Sequence, residues 1–343
     1  MRWSSWLGRW GRSRPCEDVC HHWSGNGAGS AYGQPGRSEG QGAAVAHAVT
    51  RSPARRAAFE AAYGIAATGD LDMALADPAV DAVILLTPPD SHRDLGRRIL
   101  AAGKHLLIEK PAGLVTEDTR FLADLAGSAG LLAAPVLQHR FRPAIRAVAA
   151  ALASGALGRL CGVHCLIPWW RPQSYYDAPG RGTYARDGGG VLLTQAVHTL
   201  DVLRALCRGA TITAAQAVTS PLHRMEAEDL VCALATFGPD AAPGTIMATT
   251  ACSPGMTETM TLILERATIR IEGLSATVLY SDGRIEDLGG QGASGSSADP
   301  MAFDHASHRD LIAAFLDTME GRAPLAVDLS DLIATREMID AMV

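Results

Sequence analysis

Between Val45 and Leu137 short apolar runs alternate with amphipathic stretches. Val45–Val49, Ala82–Leu86, His105–Ile108 and Leu131–Leu137 read as strands, because short, mostly apolar runs of four to seven residues suit a strand buried on both faces. Helices are predicted over Pro53–Tyr63, Leu71–Ala76, His92–Ala102 and Glu117–Ala129, with Gly103 stopping the third. Strict alternation of this kind predicts an α/β domain with a parallel sheet covered on both faces. In such sheets ligands bind beyond the carboxyl ends of the strands, so the loops after Val49, Leu86 and Ile108 are where function is sought.

Beyond about residue 144 the texture changes. A helix over Ala144–Ala153 is followed by alternating segments at Leu160–Ile167, Thr211–Thr219, Asp229–Phe237, Gly244–Cys252, Glu258–Glu265, Thr268–Glu272 and Ala276–Tyr280, which predict an open, mostly antiparallel sheet. A helix over Gly190–Cys207 interrupts them, and helices over Ala306–Glu320 and Leu329–Met342 follow. The expected organisation is an atypical segment at 1–43, a doubly wound α/β domain at 44–143 and an α+β domain at 144–343.

Composition narrows the class. With 48% hydrophobic residues, 19% charged and a net charge of −6, the chain has a core to build and lacks the basic balance of a general nucleic-acid binder. No apolar run is long enough to span a bilayer, and the opening residues lack the apolar stretch of an export signal. Seven cysteines in no disulfide-like spacing suit a reducing cytoplasm. Cys16, Cys20, His21 and His22 have no second ligand cluster, so no metal is expected.

Three segments carry candidate chemistry. Glu109 and Lys110 follow an apolar strand and Pro111 blocks its continuation, which pins a lysine at the sheet's ligand edge. In the neighbouring loop Pro88 and Pro89 fix an extended path after Thr87, and Asp90 or Ser91 can cap the next helix. Gly188–Gly190 allows a close backbone approach before a helix on which Thr194, His198 and Asp201 are spaced as one polar stripe. That stripe fits a catalytic base or a core histidine satisfied by Asp201. Trp170, Arg171, Tyr175, Arg181 and Gln195 mix aromatic faces with donors, a combination suited to a polyhydroxylated or carboxylated ligand. Gly25–Gly29 has glycines but follows no apolar strand, so it is poor evidence for a phosphate loop.

Taken together, Thr87-Pro-Pro-Asp-Ser-His92, Glu109-Lys-Pro111, Gln138-His-Arg-Phe-Arg-Pro143 and Gly188-Gly-Gly190 leading to His198-Thr-Leu-Asp201 resemble the glucose-fructose oxidoreductase, inositol dehydrogenase and rhizopine-catabolism (Gfo/Idh/MocA) family. The resemblance runs from about Val45 to Met342. It implies a Rossmann domain holding NAD or NADP, a sugar-like substrate without nucleic acid or membrane partners, and a homodimer or homotetramer packed through the C-terminal sheet. It also implies hydride transfer at a secondary hydroxyl of a sugar, polyol or sugar acid, with Lys110 bonding the hydroxyl, His198 taking its proton and Asp201 orienting the imidazole; Thr194 stands where many relatives have an aspartate.

Cofactor contacts are expected from Arg51, Ser52, Arg55, Thr87, Pro88, Pro89, His92, Glu109, Lys110, Gln138 and Arg140, and the basic residues after the first strand favour NADP. Pro15 and Glu17 fall where relatives have a glycine turn, and both oppose pyrophosphate binding. The alternatives are a non-redox relative, a decarboxylase or lyase acting on a carboxylated ring, and a binding protein with an impaired cofactor site.

Overall fold

The computed structural model describes residues 43–290 and 306–343, and the backbone of residues 20–24. Among these residues the chain divides into two compact units, one reaching to Val136 and including Arg309–Ile333, the other comprising Leu137–His308 and Ala334–Val343. The division differs from the expected one in two respects. It falls at Val136 rather than after residue 143, and residues 309–333 return to the first unit.

In the first unit the strands are β1 (Cys20–Ser24), β2 (Ala44–Val49), β3 (Ala67–Thr68), β4 (Ala82–Leu85), β5 (His105–Ile108) and β6 (Ala133–Pro135). They form one sheet in the order β3-β2-β1-β4-β5-β6. The helices between them are α1 (Pro53–Tyr63), α2 (Leu71–Ala76), α3 (His92–Ala101) and α4 (Thr116–Ala129). Leu106, Leu107 and Ile108 are each no more than 1% exposed. A side chain of this type contributes roughly 1.5–3 kcal/mol when fully buried, which is why a run with no polar alternation forms the interior of the sheet.

The sheet is not parallel throughout, as the alternation suggested. β4, β5 and β6 run parallel, as do β2 and β3. β1 lies antiparallel to both β2 and β4, with Cys20 opposite Val49 and Leu85 and Ser24 opposite Ala44. Its start is therefore at the carboxyl edge of the parallel strands and its end at the opposite edge. The Gly25–Gly29 stretch, which follows that end, lies outside the described residues, as do Pro15 and Glu17.

The second unit carries an eight-stranded sheet. Its strands are β7 (Leu160–Pro168), β8 (Ala210–Val218), β9 (Leu230–Phe237), β10 (Ala242–Thr249), β11 (Thr259–Leu264), β12 (Ala267–Glu272), β13 (Ser275–Tyr280) and β14 (Ile285–Asp287), ordered β14-β13-β12-β11-β7-β10-β9-β8. All neighbours are antiparallel except β10 and β7. Strand alternation sorts one face inward, as in β9, where Val231, Ala233, Ala235 and Phe237 are buried. The helices of this part of the chain are α5 (Pro143–Ala153), the short α6 (Gln173–Tyr176) and α7 (Tyr184–Asp187), and α8 (Val197–Cys207); α9 (Ala306–Met319) and α10 (Leu329–Asp340) close the chain. No helix among the described residues is long and apolar enough to cross a membrane.

Candidate active site

The carboxyl edge of the first sheet is built from the loops after β2, β4 and β5. After β2, Ser52 caps α1 by accepting the Arg55 N–H at 3.4 Å, and Pro53 opens the helix, whose first turn holds no acidic residue. Arg51 is exposed, whereas Arg56 is committed: its Nη1 donates to the carbonyls of Thr50 and Arg51 at 2.8 and 3.0 Å.

After β4, Ser91 Oγ lies 2.6 Å from Thr87 Oγ1 and 2.8 Å from the Pro88 carbonyl, closing the turn that Pro88 and Pro89 begin. His92 is 0% exposed. Its Nε2 is 2.5 Å from the Thr87 carbonyl and its Nδ1 is 2.8 Å from the Pro111 carbonyl. The expected cofactor contact at His92 is thus corrected to a bridge between two loops: a ring enclosed on all sides, with both nitrogens turned to carbonyls, has no atom left for a ligand. Burial pushes its pKa down to about 4.

The loop after β5 carries Glu109 and Lys110. Burial pushes the Glu109 carboxyl up, the neighbouring Lys110 opposes that rise, and Glu109 Oε2 accepts the Lys110 N–H at 3.1 Å. A second brace, not foreseen from sequence, is Asp118. It accepts the N–H groups of Leu114 and Val115 at 3.0 and 3.3 Å and pairs with Arg93 at 2.8 Å. A side chain at Gly113 would stand 2.2 Å from the Asp118 Cβ, so only glycine lets the chain pass there. The sequence signal for this brace was an acidic residue in the first turn of the helix after Pro111.

In the second unit the Gly188–Gly190 turn is fixed by Glu228, also unforeseen. Its carboxylate accepts the Gly190 N–H at 3.0 and 3.1 Å and the Leu192 N–H at 3.2 Å, while its carbonyl accepts from Val191 at 2.8 Å. Burial pushes this carboxyl up, and the backbone N–H groups oppose the rise. A Cβ at Gly190 would lie 1.8 Å from the Glu228 carbonyl oxygen, which is the close approach the triple glycine permits.

The helix after this turn does not present Thr194, His198 and Asp201 as one connected stripe. Leu192–Ala196 forms a turn of π-helix, whose wider turn breaks the i, i+4 spacing between Thr194 and His198. Each residue takes a different partner. Thr194 Oγ1 donates to the Gly190 carbonyl at 2.7 Å and also meets Gln195 Oε1. His198 is buried, with its ring 4.7 Å from that of His139. Asp201 is 1% exposed, and Arg140 reaches it through Nε at 2.7 Å and Nη2 at 2.6 Å while Thr335 Oγ1 donates at 3.1 Å. Asp201 therefore orients Arg140 rather than the imidazole. Arg140, expected at the cofactor, forks onto this buried carboxylate through Nε and Nη2. Gln138 is buried in the 3-10 turn Gln138–Phe141 of the same segment.

The expected substrate residues gather around Tyr175. The Arg171 and Arg181 guanidinium groups lie 5.9 and 5.0 Å from the centre of its ring, and Gln195 Nε2 donates to its hydroxyl at 3.3 Å. Arg171 is buried, which lowers its pKa, and its Nη1 donates to the Trp170 carbonyl at 2.8 Å. Trp170 packs against His223, 5.7 Å between ring centres. His223 is itself held by Asp229 at 2.6 Å.

The residues present test the fit of a dinucleotide. Thr87, Glu109 and Lys110 beside β4 and β5, with the acid-free start of α1 after β2, match what its two ends need. A glycine turn for the pyrophosphate is not found among the described residues.

Comparison with known proteins bears on the same residues. The model of the "Oxidoreductase family, NAD-binding Rossmann fold" matches residues 24–135, and that of the "GFO/IDH/MocA C-terminal domain" matches residues 145–270. The 1,5-anhydro-D-fructose reductase of Ensifer adhaerens is 32% identical over 48% of this chain and 49% of its own length. The inositol 2-dehydrogenase of Rhizobium meliloti is 32% identical over 45% of this chain and 44% of its own. The chain thus spans less than half the length of these curated relatives. The WlbA dehydrogenase of Bordetella pertussis, solved with NADH and UDP-GlcNAcA, superposes with a TM-score of 0.71 at 26% identity, over 86% of this chain and 85% of that one. With family models matching both regions in order, the chain belongs to the Gfo/Idh/MocA oxidoreductase family.

Proposed function

We propose that the protein is a nicotinamide-dependent oxidoreductase acting on a secondary hydroxyl of a sugar, polyol or sugar acid. The observation that carries the reading is the lysine loop: Lys110 stands at the ligand edge of a Rossmann sheet on a segment braced by His92 and Asp118. Relatives named as reductases and dehydrogenases of sugars and polyols support the substrate class. Thr87, Glu109 and Lys110 would hold the nicotinamide end, and Arg51, Ser52 and Arg55 the adenosine ribose. When bound, the nicotinamide supplies the hydride acceptor or donor. Lys110 donates a hydrogen bond to the reacting hydroxyl, His198 takes its proton, and the Arg171, Tyr175, Arg181 and Gln195 group holds the remaining oxygens or a carboxylate. An alcohol is too weak an acid to ionise unaided at neutral pH, so a cation at its oxygen and a base for its proton each lower the barrier.

NADP is the preferred cofactor in this reading, since the first turn of α1 has no carboxylate to repel a 2′-phosphate and Arg51 is exposed beside it. A cytoplasmic setting fits the described cysteines, Cys161, Cys165, Cys207, Cys232 and Cys252, all free thiols. Self-association through the second sheet is supported by its outward face, where Leu234 and Ile263 are 54% and 46% exposed. Sedimentation of the L234R variant tests this: a monomer is expected from it and a dimer or tetramer from the parent.

The function is tested by titrating the purified chain with NADPH and NADH while following thermal unfolding, and by following reduced nicotinamide absorbance with a panel of sugars, polyols and sugar acids. Stabilisation by a nicotinamide and turnover with a panel member are expected. No stabilisation by either cofactor overturns the reading.

A further inference from the structure

The stacked rings of His139 and His198, 4.7 Å apart and tilted by 32°, compete for one proton, because a cation on either ring depresses the pKa of the other. Arg142 Nη2 lies 2.7 Å from His139 Nε2. A guanidinium has donors and no acceptor, so Nε2 of His139 must be the lone-pair nitrogen and its hydrogen must sit on Nδ1. Adding a proton at Nε2 would set two N–H groups against each other.

Arg142 is held in this position from behind. Its Nη1 is 3.5 Å from Glu258 Oε1 and donates to the Gly273 carbonyl at 3.3 Å. Glu258 is 3% exposed and accepts the indole N–H of Trp169 at 3.1 Å. A small cavity lined by His139, Arg142, Thr199 and Glu258 adjoins the pair.

We propose that Arg142, anchored by Glu258, locks His139 as the neutral Nδ1–H tautomer, so that a proton arriving at the stacked pair is carried by His198. His139 and Arg142 are then positioning residues. The consequence for catalysis rests on the reading of His198 as the base, but the tautomer does not. In the same segment and helix two cations share one anion: Arg140 forks onto Asp201, and Arg204 lies 3.9 Å from the same carboxylate. Burial raises the Cys165 and Cys207 thiols, the latter to about 12, so neither adds charge near neutral pH.

The test is histidine-resolved NMR of the full chain, with H139N used to assign the signals. In the parent, the ring-nitrogen shifts of His139 should report the Nδ1–H tautomer and stay flat through the pH range in which His198 titrates. The double variant R142M/E258Q removes both charges together, leaving no unpaired buried ion and an amide oxygen for Trp169. In it His139 should titrate, and the His198 pKa should fall by about one unit. A parent His139 that is Nε2–H or charges like an ordinary histidine overturns the proposal, and so does a double variant whose His139 stays silent. The parent tautomer decides the matter even if the variant does not fold. If His139 behaves as stated but the acidic limb of the kcat/KM profile, where a general base is lost to protonation, ignores the double variant, the lock stands and the role given to His198 fails.

Discussion

Lys110 sits on a loop and His198 on a helix, and the two are immobilised by different chemistry. The lysine loop is tied through its backbone: the His92 ring lies between two carbonyls and, when neutral, donates to one of them, and the Asp118 carboxylate, paired with Arg93, gathers two amide N–H groups. The histidine helix is set among buried charges, with Glu228 at its leading turn and the Asp201–Arg140 fork one turn beyond His198. A loop has unpaired backbone groups to satisfy, so short polar side chains can hold it. A helix has satisfied its own backbone, so its orientation is fixed only by what its side chains grip.

The sharpest way to break the comparison is to remove the residue each region serves. His198→Ala should lower kcat by roughly 10²–10⁴-fold, the range of a lost general base; a loss under tenfold would take the base role away from this helix. Next comes the helix's charge grip. Arg140→Met leaves Asp201 buried without its fork and should cost about 3–5 kcal/mol in urea unfolding, most of which the added Asp201→Asn should restore.

On the loop side, the effect appears in pH. Burial holds the pKa of folded His92 at about 4, against 6.5 for an ordinary histidine. Between those values the unfolded chain binds more protons, so the stability it contributes is complete above pH 6.5, falls by roughly 3 kcal/mol as pH drops to about 4, and falls no further below. His92→Gln should flatten this part of the stability curve; an unchanged slope would mean the ring is not the buried neutral bridge. The smallest effect is expected at the exposed Arg51. Its change to Ala should reduce preference for NADPH over NADH by about tenfold, roughly the worth of one charge-assisted contact, read from paired fluorescence titrations.

Much of the fold was legible in the chain. Pro53–Tyr63, Leu71–Ala76 and His105–Ile108 form as the pattern predicts, because a proline or aspartate start, a glycine stop and unbroken apolar runs are local instructions. The antiparallel course of β1, the parallel β7–β10 pair and the return of residues 309–333 to the first unit were not legible, since pairing direction depends on which strand arrives beside which. The site divides in the same way. Lys110 and His198 stand out by type and context, and the group around Tyr175 is a local cluster brought together by one segment and the start of one helix.

The sequence by itself therefore determined the elements, the family motifs and the candidate reacting groups, all of which are written within a few residues of one another. Only the tertiary structure decided what each polar side chain is for. It turned Asp201 toward Arg140, closed His92 between two carbonyls, and placed His139 against His198 with Arg142 behind it. A carboxylate or imidazole has several equally good partners in sequence, and which one it takes is fixed by the direction in which packing of the surrounding backbone aims it.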